Sequence, residues 1–221
     1  MVDISSSLYA KDANNKTLNI VHTKYGEIGF DGEVDKVNLY WSYSDKESAD
    51  LKTIKLLKKV KPDYYIYFRG CNLLEEADLE LLDVSAVTNF QHSFYNCSKL
   101  TTKSLKISSW KPQNLEFTNY TFYGCSGLTS LDLSKWKMDK VISVPGMFNG
   151  CSSLETLDLS GWNLEKANWH NVTDNGKEER CMFYGCKKLK TIRMVGCSKA
   201  TNDLVKRDLK VAGINPTIVT N

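Results

Sequence analysis

The chain has 221 residues, of which 42% are hydrophobic and 25% charged, a globular composition that excludes intrinsic disorder. Its 29 Lys and Arg and 26 Asp and Glu residues leave a net charge of +3, too small to predict binding to nucleic acid or to a membrane surface. No apolar run approaches the roughly 18 residues that a membrane span needs. Residues 1–11 lack the charged-then-apolar pattern of a signal peptide. Two alternatives remain open, an intracellular chain or a chain without its targeting segment.

The first 63 residues contain no repeat and are expected to form a small α+β region. The run from Asp45 to Val60 has an apolar stripe at helical spacing and precedes Pro62, which predicts a helix. A cap packed on the repeats is favoured over a separate appendage, because no Pro- or Gly-rich linker follows. Four other runs predict strands: Leu18–His22, Gly26–Phe30, Val37–Trp41 and Asp63–Phe68.

A cysteine recurs at a nearly constant interval through the rest of the chain. Cys71, Cys97, Cys125 and Cys151 are 26, 28 and 26 residues apart, Cys186 follows 35 later, and a phenylalanine lies three positions before each. A fixed period of this size indicates stacked structural repeats. We expect two extra residues after the cysteine in each of the first two units. This alignment puts five residues in one column: Val84, Trp110, Trp136, Trp162 and Cys197.

Each unit carries the pattern Leu-x-x-Leu-x-Leu, as at Leu154, Leu157 and Leu159. The alternation predicts a short strand with inward apolar side chains, and one unit cannot bury that face alone. The predicted fold is therefore α/β, a right-handed leucine-rich-repeat solenoid of about five units with a parallel sheet. Its parts are an N-terminal cap region over residues 1–63, the repeats over 64–200 and a C-terminal cap over 201–221.

The C-terminal cap is predicted to be helical. Leu204, Val205, Leu209 and Ala212 lie at helical spacing, and Gly213 is the residue type that favours a helix C-terminus.

The string from Met147 to Trp162, Met-Phe-Asn-Gly-Cys-Ser-Ser-Leu-Glu-Thr-Leu-Asp-Leu-Ser-Gly-Trp, resembles the BspA-type leucine-rich repeat. The resemblance covers residues 65–221 and is strongest in the third and fourth units. It implies a surface-exposed or secreted bacterial interaction protein. Adhesion to host matrix proteins, or to other bacteria, is the role usually proposed in that family.

The repeat cysteines are interpreted as buried thiols. No pair has Cys-x-x-Cys spacing and no histidine clusters with them, so no metal site is predicted. In-register strands place equivalent residues about 4.8 Å apart, a distance that does not exclude a disulfide. A cysteine that recurs in every repeat unit is nevertheless better explained by packing in the core. Cys181 lies outside the register and is predicted to be the most exposed thiol.

The sequence contains no Gly-x-Ser-x-Gly, P-loop or Gly-x-Gly-x-x-Gly motif. We therefore expect a protein that is not an enzyme and that uses no cofactor. The tryptophan column is interpreted as core packing rather than as a platform for sugars, because Val84 and Cys197 share it.

The solvent face of the predicted sheet is a candidate binding surface, since concave solenoid faces commonly bind partners. The alternative is a solvated face that follows the repeat consensus. Lys106 is expected to meet Asp132, and Asp158 to meet Arg193. The candidate residues form a charged column and a hydroxyl column beside it: Glu80, Lys106, Asp132, Asp158 and Arg193, then Ser130, Thr156 and Thr191.

The fourth unit contains about nine inserted residues between Asn163 and Arg180. Insertions in solenoids form loops on one face, often a binding face. The alternative is a tolerated loop whose tryptophan folds back onto the core. The candidate residues are Trp169, His170, Asn171 and Lys177.

The sequence therefore predicts a cell-surface or secreted protein-interaction module. Its expected partner is a host matrix protein or a bacterial surface protein. A glycan is the alternative partner, and a purely structural spacer is a third hypothesis.

Overall fold

The computed structural model describes residues 51–56, 59–167 and 181–221 and, earlier in the chain, the backbone of five strands. These strands cover the three strand regions predicted before residue 45 and add one more, β1. They are β1 (Tyr9–Lys11), β2 (Thr17–Leu18), β3 (Ile20–His22), β4 (Glu27–Phe30) and β5 (Lys36–Ser42).

The described chain forms a parallel-strand solenoid of about six turns, in agreement with the α/β solenoid expected from the repeat. The described residues contain one helix, α1 (Lys199–Ala212). The later strands are β6 (Thr53–Leu56), β7 (Lys61–Arg69), β8 (Glu76–Asp78), β9 (Leu105–Lys106), β10 (Ser130–Asp132), β11 (Thr156–Asp158), β12 (Thr191–Arg193) and β13 (Thr217–Val219).

Strands β8, β10, β11 and β12 each place one buried apolar side chain between two polar neighbours, and β6 alternates in the same way. The strands pair in parallel in the orders β6-β8-β9 and β10-β11-β12-β13. This alternation of buried and accessible residues is the period of two that the leucine pattern predicts. The buried residues of one column are Ile54, Ala77, Leu105, Leu131, Leu157 and Ile192.

The sheet is interrupted between β9 and β10, where the second unit is longer than its neighbours. Five positions separate Leu100 from Leu105, whereas three separate the equivalent leucines of the next unit. The extra residues form a turn that carries Thr102. Its Oγ1 accepts a hydrogen bond from the Ser130 N–H at 2.8 Å and donates one to the Ser130 carbonyl at 2.8 Å. The Thr102 hydroxyl thus takes the place of a backbone hydrogen-bond partner for β10 where the sheet is interrupted.

The first unit has no such extra residues, so the predicted alignment of that unit is wrong by two positions. Asp78, not Glu80, lies opposite Lys106. The same correction applies to the tryptophan column, in which Leu82 takes the position assigned to Val84. The Leu82 N–H donates to the carbonyl three residues earlier at 3.0 Å, as the Trp110, Trp136 and Trp162 N–H groups do at 3.0–3.1 Å.

The helix predicted between Asp45 and Val60 is wrong over its described part. Thr53–Leu56 forms β6, in which Ile54 and Leu56 are buried and Lys55 is exposed. This alternation suits a strand, and β8 offers β6 a parallel edge to pair with. The tertiary pairing therefore decides the conformation, and the solenoid sheet begins before the first unit recognised in the sequence.

The phenylalanine that precedes each repeat cysteine belongs to a stacked ladder inside the solenoid. Neighbouring ring centroids are 5.8, 5.7, 6.0 and 5.9 Å apart. All five rings are fully buried. The ladder consists of Phe68, Phe94, Phe122, Phe148 and Phe183.

The seven cysteines are free, and the repeat cysteines are buried as predicted. The thiols of Cys97, Cys125, Cys151 and Cys186 each donate to the phenylalanine carbonyl one turn earlier, at 3.0–3.1 Å. The prediction for Cys181 is wrong: this thiol is fully buried, whereas Cys197 is half-buried. Cys181 was misjudged because helix α1 covers it from outside the repeat.

We expect the cysteines of the native protein to resist modification by a disulfide reagent. Burial raises the pKa of Cys71, Cys181 and Cys186 to about 12. Relative to an ordinary thiol, this lowers the reactive thiolate fraction roughly thousandfold near neutral pH. Reagent titration should therefore modify Cys197 first and the others only as guanidinium unfolds the chain. Fast reaction of several thiols in folded Cys197→Ser would contradict this packing.

Helix α1 confirms the predicted C-terminal helix. The Ser198 side chain accepts a hydrogen bond from the Thr201 N–H at 3.2 Å, and Gly213 ends the helix with φ at 68°. Val205 and Leu209 are buried against the solenoid core. Within the described ranges, no helix is long and apolar enough to cross a membrane.

Asp208 is a buried carboxyl group beneath helix α1. Its Oδ2 accepts hydrogen bonds from the Cys181 thiol at 3.2 Å and from the Phe183 N–H at 3.3 Å. Burial raises the pKa of Asp208 to about 6, although these hydrogen bonds act in the opposite direction. The folded state therefore holds a proton on Asp208 at pH values where the unfolded chain has lost it.

Replacement Asp208→Asn is expected to stabilise the protein at neutral pH. Because the folded pKa is raised, the stability that protonated Asp208 contributes is present below about pH 4 and is lost as pH rises to about 6. The neutral amide removes this loss, worth on the order of 1–3 kcal/mol at pH 7. Denaturant unfolding across that window measures it. Asp203→Asn, on the exposed side of α1, is the matched control, and an unchanged pH profile in Asp208→Asn would refute the assignment.

Candidate binding site

The pairing of strands β10, β11 and β12 brings most of the predicted sheet-face residues together. Ser130, Thr156 and Thr191 lie in one column, and Asp132, Asp158 and Arg193 lie in the next. The expected contact between Arg193 and Asp158 is present, with Nε 3.6 Å from Oδ2.

Lys106 does not pair with Asp132, contrary to the prediction. Its Nζ lies 2.8 Å from Asp78 and 3.4 Å from Glu76, on the preceding strand. The break in the sheet after β9 separates Lys106 from Asp132. Asp132 instead accepts hydrogen bonds from the N–H and hydroxyl of Ser134, at 3.0 and 2.6 Å, which lower the pKa of its carboxyl group against the opposing effect of burial.

Glu80 lies outside the charged column and holds together two neighbouring turns. Its carboxylate accepts hydrogen bonds from the Ser108 N–H, the Ser108 hydroxyl and the Ser109 N–H, at 2.8, 2.7 and 2.8 Å. Burial acts to raise the pKa of Glu80, but these hydrogen bonds outweigh it and lower the pKa. Most charged groups of the sheet face thus already have partners within the protein.

The tryptophan column is core, as predicted. Trp110 and Trp162 are buried, and their indole N–H groups donate to the Leu79 and Leu133 carbonyls at 3.0 Å. The candidate residues of the inserted loop lie outside the described residues: Trp169, His170, Asn171 and Lys177.

The structure reveals an aromatic surface that the sequence reasoning missed. We call it the tyrosine face, and it consists of Tyr67, His92, Tyr95, Tyr120 and Tyr123. Tyr95 and Tyr123 each follow a phenylalanine of the buried ladder, so they point away from the core. Their rings stack in parallel, with centroids 4.6 Å apart, and both are half-buried. The signal was present as Phe-Tyr pairs at a constant distance from the cysteine.

The two residues of the second ring stack in the tyrosine face, His92 and Tyr120, have an unusual backbone conformation. His92 and Tyr120 stack with centroids 5.1 Å apart and planes inclined by 10°. Both residues have positive φ, 59° and 54°, at a position that Gly146 occupies in the following unit. Left-handed backbone costs a non-glycine residue roughly 1–3 kcal/mol and is found preferentially at functional sites. Both of these residues are half-buried.

His92 is neutral in this environment. Burial, followed by repulsion from Arg69, lowers the pKa of His92 to about 4. Its Nδ1 is buried and lacks a hydrogen-bond partner among the residues that the structure describes. Arg69 therefore supplies positive charge beside the tyrosine face at physiological pH, and its guanidinium carbon lies 5.1 Å from the centre of the Tyr95 ring.

A polar cavity adjoins the tyrosine face between the first two repeat turns. Its volume is about 530 Å³. This lies within the range of about 300–1,000 Å³ that is usual for small-molecule sites. Its described lining contains no acidic residue: Arg69, Gly70, Asn72, Tyr95, Asn96 and Ser98. In the described ranges, no cluster of His, Cys, Asp and Glu is suited to hold a metal ion.

The fold defines a solenoid repeat protein, and its outer side carries an aromatic surface. Residues 63–192 match the model of a family described as "Mycoplasma protein of unknown function, DUF285", and the chain belongs to that family. A repeat-protein family, as the sequence resemblance predicted, is thereby confirmed. No curated protein and no solved structure matches the chain significantly.

Proposed function

We propose that this protein is a non-enzymatic interaction module, displayed on the cell surface or secreted, that serves adhesion to a host matrix protein or to other cells. We assign its solenoid to the leucine-rich-repeat class of BspA type, with five principal units and with α1 as its C-terminal cap. The recurring Leu-x-x-Leu-x-Leu strands and the burial of Val205 and Leu209 support this assignment.

The tyrosine face is the observation that carries the proposal. Tyrosine combines a large apolar ring with a polar hydroxyl and is enriched in protein interfaces. Stacking between Tyr95 and Tyr123 fixes both side chains before a partner arrives, which reduces the entropy lost on binding. The rigid phenylalanine ladder beneath them holds their spacing.

The sheet face is a weaker candidate. Lys106 and Arg193 already contact carboxylates of the same chain, and Asp132 and Glu80 accept hydrogen bonds from neighbouring turns. A partner would have to replace these contacts.

Binding of the purified chain to an array of extracellular matrix proteins and glycans tests the proposal. We expect saturable binding that falls at least tenfold in the double variant Tyr120→Gly, Tyr123→Ala. The glycine suits the left-handed backbone at position 120, so this variant should remain folded. Circular dichroism and thermal unfolding verify that it does.

Two control variants separate the competing surfaces. Asp132→Ala with Asp158→Ala alters the sheet face, and Trp169→Ala alters the inserted loop. Both should bind as the unchanged chain does. Loss of binding in either control, with the tyrosine-face variant unaffected, would reject the tyrosine face as the site.

A glycan partner is the second candidate function. The polar cavity beside Arg69 favours it, because amide and hydroxyl groups line a space of small-molecule size.

A further inference from the structure

We propose that the cavity between the first two repeat turns is a binding site for an acidic saccharide, with Arg69 contacting its carboxylate or sulfate and Asn72 and Asn96 contacting its hydroxyls. This inference deepens the proposed interaction function and rests on it. We call this cavity the Arg69 pocket, and its lining is that given above.

Arg69 is held in a defined orientation. Its guanidinium lies over the Tyr95 ring at 5.1 Å, and its Nη1 donates to the Tyr67 hydroxyl at 3.4 Å. A guanidinium restrained in this way loses little freedom when it contacts an anion, and its planar fork matches two oxygens of a carboxylate or sulfate. Since the described lining contains no acidic side chain, an anion in the pocket meets no repulsion from it.

Asn96 marks this pocket as a departure from the repeat. The residue before the repeat cysteine has left-handed backbone in all five units and is glycine in four of them: Gly70, Gly124, Gly150 and Gly185. Asn96 alone carries a side chain there, with φ at 58°. Its Oδ1 lies over Gly124, where a Cβ would collide with it.

The side-chain amides of Asn72 and Asn96 are exposed and make no hydrogen bond within the part of the chain that is described. Each amide offers one acceptor and two donors. That pairing suits adjacent hydroxyl groups of a sugar ring, each of which both donates and accepts. An oxyanion beside such hydroxyls is what distinguishes an acidic saccharide from a neutral one.

An acidic peptide fits the pocket less well. Peptides that bind repeat scaffolds in extended form rely on free backbone groups or a continuous groove. Here the Gly70 N–H already donates to the Tyr95 carbonyl at 2.6 Å, and the Asn96 N–H donates to the Tyr123 carbonyl at 2.6 Å. In the described rim, neither of these N–H groups is available to pair with an added peptide strand.

Titration of the full chain with defined probes tests the proposal. The probes are glucuronate, glucose 6-sulfate, neutral glucose and a glutamate-rich peptide, with binding followed by NMR or calorimetry. We expect one of the two acidic sugars to bind at least tenfold more tightly than glucose. Their comparison tells a carboxylate from a sulfate ligand. Equal binding of glucose, absence of binding by both acidic sugars, or tighter binding of the peptide would overturn the proposal.

Two variants locate the site. Asn96→Gly restores the glycine of the other units and should fold normally, and Arg69→Gln removes the charge. Each should weaken binding of the acidic sugar at least tenfold, whereas Ser152→Ala, the position of Ser98 two turns further along, should not. Unchanged binding in Asn96→Gly and Arg69→Gln would overturn the pocket assignment.

The two proposals fail separately. If the tyrosine-face variant loses array binding while no acidic sugar binds, the interaction function stands and the pocket proposal is overturned. If the acidic sugar binds in the pocket while the tyrosine-face variant retains full array binding, the pocket stands and the tyrosine face is rejected.

Discussion

Replacement Phe122→Ala is expected to lower the free energy of unfolding by about 3–5 kcal/mol. Phe122 is fully buried at the centre of the ladder, and its ring stacks on Phe94 at 5.7 Å and on Phe148 at 6.0 Å. The substitution removes both stacks and leaves a cavity that the rigid turns on either side cannot close. Denaturant unfolding, with the slope and midpoint both fitted, measures the change.

Two controls accompany Phe122→Ala. Phe122→Leu keeps most of the buried volume and should cost less than half as much. Ile142→Ala removes an exposed apolar side chain, 42% accessible, and should change stability by less than about 0.5 kcal/mol. If Phe122→Ala lowered the free energy of unfolding no more than Ile142→Ala does, the phenylalanine ladder would not be a main source of the stability of the core.

Replacement Trp162→Ala is expected to have an effect of similar size, about 3–5 kcal/mol. Trp162 is fully buried and donates its indole N–H to the Leu133 carbonyl at 3.0 Å. The substitution creates a cavity and removes one of the two hydrogen bonds that the Leu133 carbonyl accepts, while the bond from the Trp136 N–H at 3.0 Å remains.

The variant Trp162→Phe separates these two contributions. It retains an aromatic ring but cannot donate to the Leu133 carbonyl. The decrease in its free energy of unfolding should therefore lie between zero and the decrease in Trp162→Ala. Thermal and denaturant unfolding of the two variants give the comparison. A Trp162→Ala protein as stable as the unchanged chain would mean that the tryptophan column is not structural.

The sequence predicted the buried cysteines and the inward leucines correctly because a repeat magnifies weak local signals. One buried Cys or Phe is ambiguous, but the same residue at five equivalent positions has to pack on its own copies. The buried thiols and the inward leucines follow from this argument. Helix α1 was also predictable, since its apolar spacing and Gly213 are local features.

The alignment of the first unit was not predictable from the same pattern. Acidic residues alternate both with the pair Ala77 and Leu79 and with the pair Leu79 and Leu81. Because side chains alternate between the two faces of a strand, a shift of two residues does not change which face a residue lies on. Only the observed pairing of Asp78 with Lys106 selects the first arrangement. The error moved Glu80 into a column to which it does not belong.

The tyrosine face and the Arg69 pocket were missed for a related reason. Tyr95 and Tyr123 are 28 positions apart in the chain, yet their rings stack at 4.6 Å. A half-buried residue outside the strands is not part of a regular alternation of apolar and polar residues, so the sequence does not mark it as exposed or buried. Its neighbours across the turns are known only once the register between units is known.

The sequence by itself determined that this protein is a repeat solenoid, because a short strand with one apolar face is stable only when copies stack on it. It also determined which residues form the core ladders, since their identity recurs with the period. The tertiary structure alone decided where the sheet begins, how the first two units align and which outward side chains meet. Those features depend on pairing between turns, and the free energy of that pairing overrides local preference in segments such as Thr53–Leu56.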